Sequence, residues 1–202
     1  MSNDQTLMKA IIKADYTRRV KTFRALPIEG KDIMIGDSMI AYLNLNHVGF
    51  SDWINMGIAG DTTDGVLDRL DAVIRQRPSK VVLSIGSNDL VLTSYTTDEI
   101  INNIKRISDI LSSYAAVYLL TLTPVNERDP KAVHAYIAGR KNKDIFEINE
   151  KLKDHFSRQL IDTCTPLLNQ ENRLDLAYSK DGIHLNEEGY KVFIKTIQNA
   201  LV

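Results

Sequence analysis

The sequence predicts an α/β protein, a three-layer α/β/α sandwich on a five-stranded, mainly parallel sheet. Short apolar runs rich in β-branched residues alternate with longer segments of helical period, which is the pattern of βαβ units. The apolar runs are continuous, as in strands covered on both faces. Segments rich in Gly, Ser, Asn and Asp follow these runs directly, where an open α/β sheet binds its ligands.

Leu7, Met8, Ile11, Ile12, Tyr16, Val20 and Phe23 recur at helical spacing and predict a leading helix. Strands are expected over 32–35, 52–56, 80–85, 115–122 and 160–162. Between them, Val66, Leu67, Leu70, Val73 and Ile74 share one helical face, and Pro78 ends that helix. Ile100, Ile101, Ile104, Ile107 and Leu111 share another, with Thr96 and Glu99 at capping-box spacing at its start. Ile145, Ile148, Leu152 and Phe156 mark a further helix. The last begins near Glu187, capped by Asn186, with Tyr190, Phe193, Ile194, Ile197 and Leu201 facing inwards. The polar stretch 124–140 is the longest break in the periodic pattern; it and 93–95 are the candidate walls of a substrate pocket.

A chain of 202 residues fits one domain over 1–202, with a leading helix and connection over 1–30 and a core over 31–202. Hydrophobic residues at 44% and charged residues at 25% are ordinary for a globular domain, and argue against disorder or a fibrous repeat. A net charge of −1 gives no global pull towards nucleic acid, so the expected partner is a small molecule. Lys9, Lys13, Arg18, Arg19, Lys21 and Arg24 form a local basic excess that reads as the solvated face of the leading helix. No apolar run approaches the ~18 residues of a membrane span, and the first residues are too polar for a signal-peptide core, so a cytoplasmic location is expected. The single cysteine, Cys164, excludes an intramolecular disulfide and a zinc site of several thiolates; it reads as a packing residue.

The first strand runs into Gly36-Asp37-Ser38 and then a helical segment. A serine at such a strand-to-helix turn is well placed as a nucleophile, with backbone N–H groups beside it for a developing oxyanion. The second strand leads into a loop holding Gly57 and Gly60, where the Gly60 N–H is a candidate donor. The third ends in Gly86-Ser87-Asn88-Asp89, whose Asn88 amide is another. Each such donor can contribute ~3 kcal/mol to a transition state. Near the C-terminus, Asp181-Gly182-Ile183-His184 can present a carboxylate to imidazole Nδ1–H while Nε2 faces a serine. A hydroxyl is a poor nucleophile at neutral pH, so it needs such an adjacent base.

These four segments resemble the sequence blocks of the SGNH, or GDSL-type, hydrolases. The matching blocks are Ile35-Gly36-Asp37-Ser38, Asn55-x-Gly57-x-x-Gly60-x-Thr62, Gly86-Ser87-Asn88-Asp89 and Asp181-Gly182-Ile183-His184-Leu185-Asn186, and the resemblance runs from about residue 31 to the end. It implies a flavodoxin-like SGNH hydrolase fold, with Ser38, Asp181 and His184 as catalytic residues. It further implies an oxyanion hole of the Ser38 and Gly60 N–H groups and the Asn88 side chain, and no metal or organic cofactor. The layout is most similar to the lysophospholipase and platelet-activating-factor acetylhydrolase branch. Met39 stands where the family name expects leucine, a volume-conserving change. The implied activity is hydrolysis of a small acyl ester or lysophospholipid through an acyl-enzyme; a carbohydrate O-acetylesterase or an acyltransferase would use the same residues.

Other classes find less support. His47, His134 and His155 are not at metal-ligand spacing and read as surface residues, with His134 alone near a possible pocket wall. Neither a Walker A loop, a Gly-x-Gly-x-x-Gly turn nor a Gly-x-Ser-x-Gly elbow is present. A non-catalytic carbohydrate-binding module on the same fold is the remaining alternative, and the joint presence of Ser38, Asp181 and His184 argues against it. Apolar surface on the leading helix is compatible with a homodimer.

Overall fold

The computed structural model describes the chain from Asn3 to Leu201 except Val48, 134–136 and 138, with side chains described from Ala10 onward and His47 excepted. The side chains of Leu7, Met8, Lys9 and His47, and all of His134, therefore lie outside the described residues.

Strands β1 (Ile33–Gly36), β2 (Ile54–Gly57), β3 (Lys80–Ser84), β4 (Ala116–Leu120) and β5 (Leu160–Ile161) form one sheet in the order β2-β1-β3-β4-β5. Within this sheet every described pairing is parallel, in keeping with the mainly parallel sheet expected. Its strands are buried because alternate side chains serve different layers. Ile33, Ile35, Val81, Leu83, Val117 and Leu119 join one apolar core, while Met34, Val82 and Leu120 join the other. Burying each such side chain stabilises the fold by about 1.5–3 kcal/mol, which is what makes continuous apolar runs into sheet interior.

The first core is covered by α1 (Asn3–Ala25), α3 (Thr63–Leu67), α4 (Leu70–Arg75), α5 (Asp89–Leu92), α6 (Thr97–Ser112) and α7 (Asn142–Phe156). The second lies under α2 (Ser38–Ala41) and α8 (Glu187–Ala200), the latter burying Phe193, Ile194 and Ile197. Helix starts are set by local chemistry. Thr96 and Glu99 form the reciprocal capping box, and the Asn186 side chain accepts from the Gly189 N–H. β4 stops short of its expected end because Leu122 pairs with a side chain instead of a strand: Asn149 accepts its N–H at 2.7 Å and donates to its carbonyl at 2.9 Å.

One expectation needs correction here. The single helix read across 66–74 is broken into α3 and α4 at Arg69, whose backbone leaves the helical region (φ −123, ψ 12). The break follows from tertiary contacts, because Arg69 is almost fully buried and reaches the sheet rather than solvent. In α1, Val20 and Phe23 face the core but Ile11 is 56% exposed, so the apolar face turns outwards along the helix. The basic residues of this helix are largely spent on neighbours: Arg18 and Arg19 on Asp15, and Arg24 on Asp71.

Candidate active site

Every residue singled out for chemistry lies at the carboxyl edge of the sheet, around the switch point between β1 and β3. Ser38 follows β1 and opens α2. As the first helical residue, it has no intrahelical acceptor for its N–H. Its predecessor Asp37 is fully buried and accepts the Met39 N–H at 2.9 Å, which holds the turn. His184 Nε2 is 3.1 Å from Ser38 Oγ, and His184 Nδ1 is 2.8 Å from Asp181 Oδ2. A proton on Oγ thus has an imidazole in line, and the imidazole has a carboxylate behind it.

The Asp181–His184 loop is held from both sides. Asp181 Oδ1 accepts the backbone N–H groups of Ile183 and His184, and the Tyr42 ring meets the His184 ring edge-on with centroids 5.2 Å apart. Burial pushes the Asp181 carboxyl up, but the hydrogen bonds from the His184 ring and from the His184 and Ile183 backbone outweigh it and leave the group below the ordinary carboxylate range. Gly182 (φ +87) is required here: a Cβ would meet Ile137 at 2.6 Å and the Asn126 carbonyl at 2.7 Å. The 124–140 stretch braces this loop, with Asn126 and Val133 donating to the Gly182 and Asp181 carbonyls.

Gly60 follows β2, and among the described residues no backbone carbonyl accepts its N–H. Its φ of +79 and the α1 side chain of Ile12, 3.0 Å from where a Cβ would lie, both favour glycine. Asn88 follows β3, and its Nδ2 donates to the Asp61 carbonyl at 2.9 Å while its Oδ1 accepts from Arg140 Nη2 at 2.5 Å. Together Ser38, Tyr42, Gly60, Asn88, Arg140 and His184 line a cavity of about 360 Å³, closed on its apolar side by Ile11, Ile12, Val91, Leu92 and Ile183. Among the described residues no cluster of three or more His, Cys, Asp or Glu side chains is arranged to hold a metal ion.

The family model of GDSL-like lipases and acylhydrolases matches residues 35–192, which takes in Ser38, Gly60, Asn88, Asp181 and His184 but not the α1 residues of the cavity wall. The chain belongs to the GDSL-like lipase/acylhydrolase family. As a member it is an ester-bond hydrolase. Its fold matches that of a Streptococcus pneumonia protein named for platelet activating factor, at 26% identity over the whole of both chains and a TM-score of 0.88. A GDSL-like lipase from Bacteroides thetaiotaomicron shares the fold at 21% identity, covering 93% of this chain and 97% of that one, with a TM-score of 0.80. An N-acylneuraminate cytidylyltransferase of Escherichia coli is 24% identical over 165 residues, 79% of this chain; the match spans only 37% of that relative.

In and around this cavity, several residues carry more than sequence reasoning assigned to them. Arg69 is buried and donates to Asp61 (2.9 Å), to the Met56 carbonyl (2.8 Å) and to the Gly36 carbonyl (3.2 Å), tying the ends of β1 and β2 to the Gly60 loop. Asp89 accepts the Thr63 N–H and hydroxyl at the start of α3, and burial lifts its carboxyl to about 6. Of the expected pocket walls, Arg140 ends the 124–140 stretch and lines the cavity. The 93–95 wall is a correction: Val91 and Leu92 line the cavity instead, and Tyr95 turns away to bond Asp64. The leading helix, placed outside the core by the sequence reading, supplies Ile11, Ile12 and Asp15 to the cavity. Cys164 is buried as expected for packing; burial, with Asp162 beside it, pushes its thiol to about 12. His155 lies exposed at the end of α7.

Asp37 gives a testable pH signature. Burial raises its carboxyl from the ordinary 3.8 to about 7, against the pull of the Met39 N–H and of Arg140. The folded state therefore keeps a proton that the unfolded chain releases, so Asp37 makes stability fall as pH rises from about 4 to about 7. Asp37→Asn keeps an acceptor for Met39 and removes the titration. In urea denaturation the mutant is expected to gain on wild type steadily across that window; a constant difference would refute the assignment.

Proposed function

We propose that the chain hydrolyses carboxylic esters through an acyl-enzyme on Ser38. The observation that carries this reading is the in-line Asp181–His184–Ser38 arrangement, at 2.8 and 3.1 Å, opening on one cavity. Ser38 Oγ attacks the ester carbonyl as His184 Nε2 takes its proton, while Asp181 holds the imidazole through Nδ1–H and balances its positive charge. The carbonyl oxygen, now negative, is met by the Ser38 and Gly60 N–H groups and the Asn88 amide. His184 then protonates the leaving alcohol as the C–O bond breaks. Water repeats the steps, giving its proton to His184 and its oxygen to the acyl carbon, and releases the acid and Ser38.

A cavity of this size is at the small end for ligand sites, which favours short acyl groups packed on Ile11, Ile12, Val91 and Leu92 over a full lysophospholipid chain. A sugar O-acyl ester is the second reading. It is supported by the polar side of the cavity, with Asp15, Tyr42 and Arg140, and by similarity to a protein named for N-acylneuraminate. The test is to treat the protein with a fluorophosphonate and locate the adduct by peptide mass spectrometry, alongside turnover of p-nitrophenyl esters from acetyl to dodecanoyl. Adduct at Ser38 and a rate that falls with chain length are expected. No adduct and no turnover would remove the serine mechanism, and a preference for the longest ester would remove the short-acyl assignment.

A further inference from the structure

The Asn88 side chain is one donor of the oxyanion site in the reading above, and its usefulness depends on which end of the amide faces the cavity. An amide can sit in either of two flipped orientations, and only its neighbours choose between them. Here the choice is made from two sides. A guanidinium has donors and no acceptor, so the end of Asn88 that meets Arg140 Nη2 at 2.5 Å has to be the oxygen. A carbonyl has no donor, so the end that meets the Asp61 carbonyl at 2.9 Å has to be the NH₂. Asp61 is itself held by the buried Arg69, and Arg140 is held by a further bond from its Nε to Ser87 Oγ at 3.3 Å. Flipping Asn88 would set NH₂ against guanidinium and carbonyl against carbonyl.

We propose that Arg140 is a positioning residue of the oxyanion site: it fixes the Asn88 amide with Nδ2 towards the substrate and, by drawing electron density to Oδ1, strengthens Nδ2–H as a donor. This rests on the acyl-enzyme reading above. Charge-assisted hydrogen bonds are the stronger ones, and a donor aimed at developing charge acts mainly in the transition state, so the contribution falls on kcat. Arg140 touches Asn88 and Ser87 from the side, at the end of the 124–140 stretch, where the Ile137 carbonyl accepts its backbone N–H. Its position in a polar loop gives no sign of this role in the sequence.

The test is steady-state hydrolysis of p-nitrophenyl acetate by wild type, Ser38→Ala, Arg140→Met, Arg140→Gln, Asn88→Ala and Arg140→Met/Asn88→Ala, with thermal unfolding of each. Arg140→Met is expected to lower kcat about ten- to a hundredfold with KM within about twofold. Arg140→Gln, which can still donate one N–H to Asn88, is expected to keep more of kcat than the methionine variant. Asn88→Ala is expected to cost about 10²–10³ in kcat, and the double mutant no more than that, since Arg140 acts through Asn88. Wild-type kcat in Arg140→Met, a loss in KM alone, or losses that multiply in the double mutant would each overturn the inference. Should Arg140→Met not fold, the glutamine variant decides: kcat equal to wild type or a change confined to KM refutes the role, and a kcat loss that vanishes in the Asn88→Ala background supports it. An inactive wild type is a different failure, that of the esterase reading itself; a wild type that turns over while Ser38→Ala does not keeps that reading whatever Arg140 does.

Discussion

Ser38→Ala is expected to lower kcat for a preferred p-nitrophenyl ester by about 10⁶-fold, as far as the uncatalysed background lets the loss be seen. The alanine leaves no oxygen for His184 Nε2 to deprotonate and no atom to carry the acyl group. His184→Ala is expected to match it, and the double mutant to be no slower, because in the proposed mechanism base and nucleophile act as one unit. Asp181→Asn should fall short of both, by about 10⁴-fold, since it removes the carboxylate that fixes the imidazole tautomer but leaves the other two groups in place. Stopped-flow and long-time-course assays of the four variants, each checked for wild-type circular dichroism, measure this. Losses that multiply between Ser38 and His184 would mean that they do not share a proton.

Arg69→Met is expected to destabilise the fold by about 3–5 kcal/mol, the range for removing one partner of a buried ion pair. The side chain is 1% exposed, and so is its partner Asp61, whose carboxyl burial already pushes up against the pull of Arg69. Without the guanidinium, Asp61 is left charged in the interior or takes a proton, and the Met56 and Gly36 carbonyls each lose one donor. Adding Asp61→Asn should recover part of the loss by removing the stranded charge. Urea denaturation at pH 7 reads both, and a loss under about 1 kcal/mol in Arg69→Met would show that the pair contributes little net stability. The same variant is expected to be less active, because Arg69 links the strand ends that carry Ser38 and the Gly60 loop.

Much of this architecture is legible from local signals. The β-branched runs mark the sheet because a strand covered on both faces has no polar side to show. Thr96, Glu99 and Asn186 mark helix starts because their oxygens bond backbone groups within a few residues. The end of β4 is not legible in this way, because a distant side chain, Asn149, takes over the pairing at Leu122. The break within 66–74 has a comparable cause. The apolar periodicity there is intact, and the one clue to a break is a lone arginine beside that apolar face, which periodicity alone assigns to solvent.

By itself, the sequence determined the order of strands and helices, the family, and the placing of Ser38, Gly60, Asn88 and His184 next to element ends, because each depends on residues near one another in the chain. Only the tertiary structure decided that His184 meets Ser38, that Arg69 turns inwards, that Arg140 holds Asn88, and that the leading helix forms a wall of the cavity. These contacts join segments far apart in sequence. Whether an arginine ends on a carbonyl, a carboxylate or water is settled by which groups the packed layers bring within reach, and no local pattern carries that information.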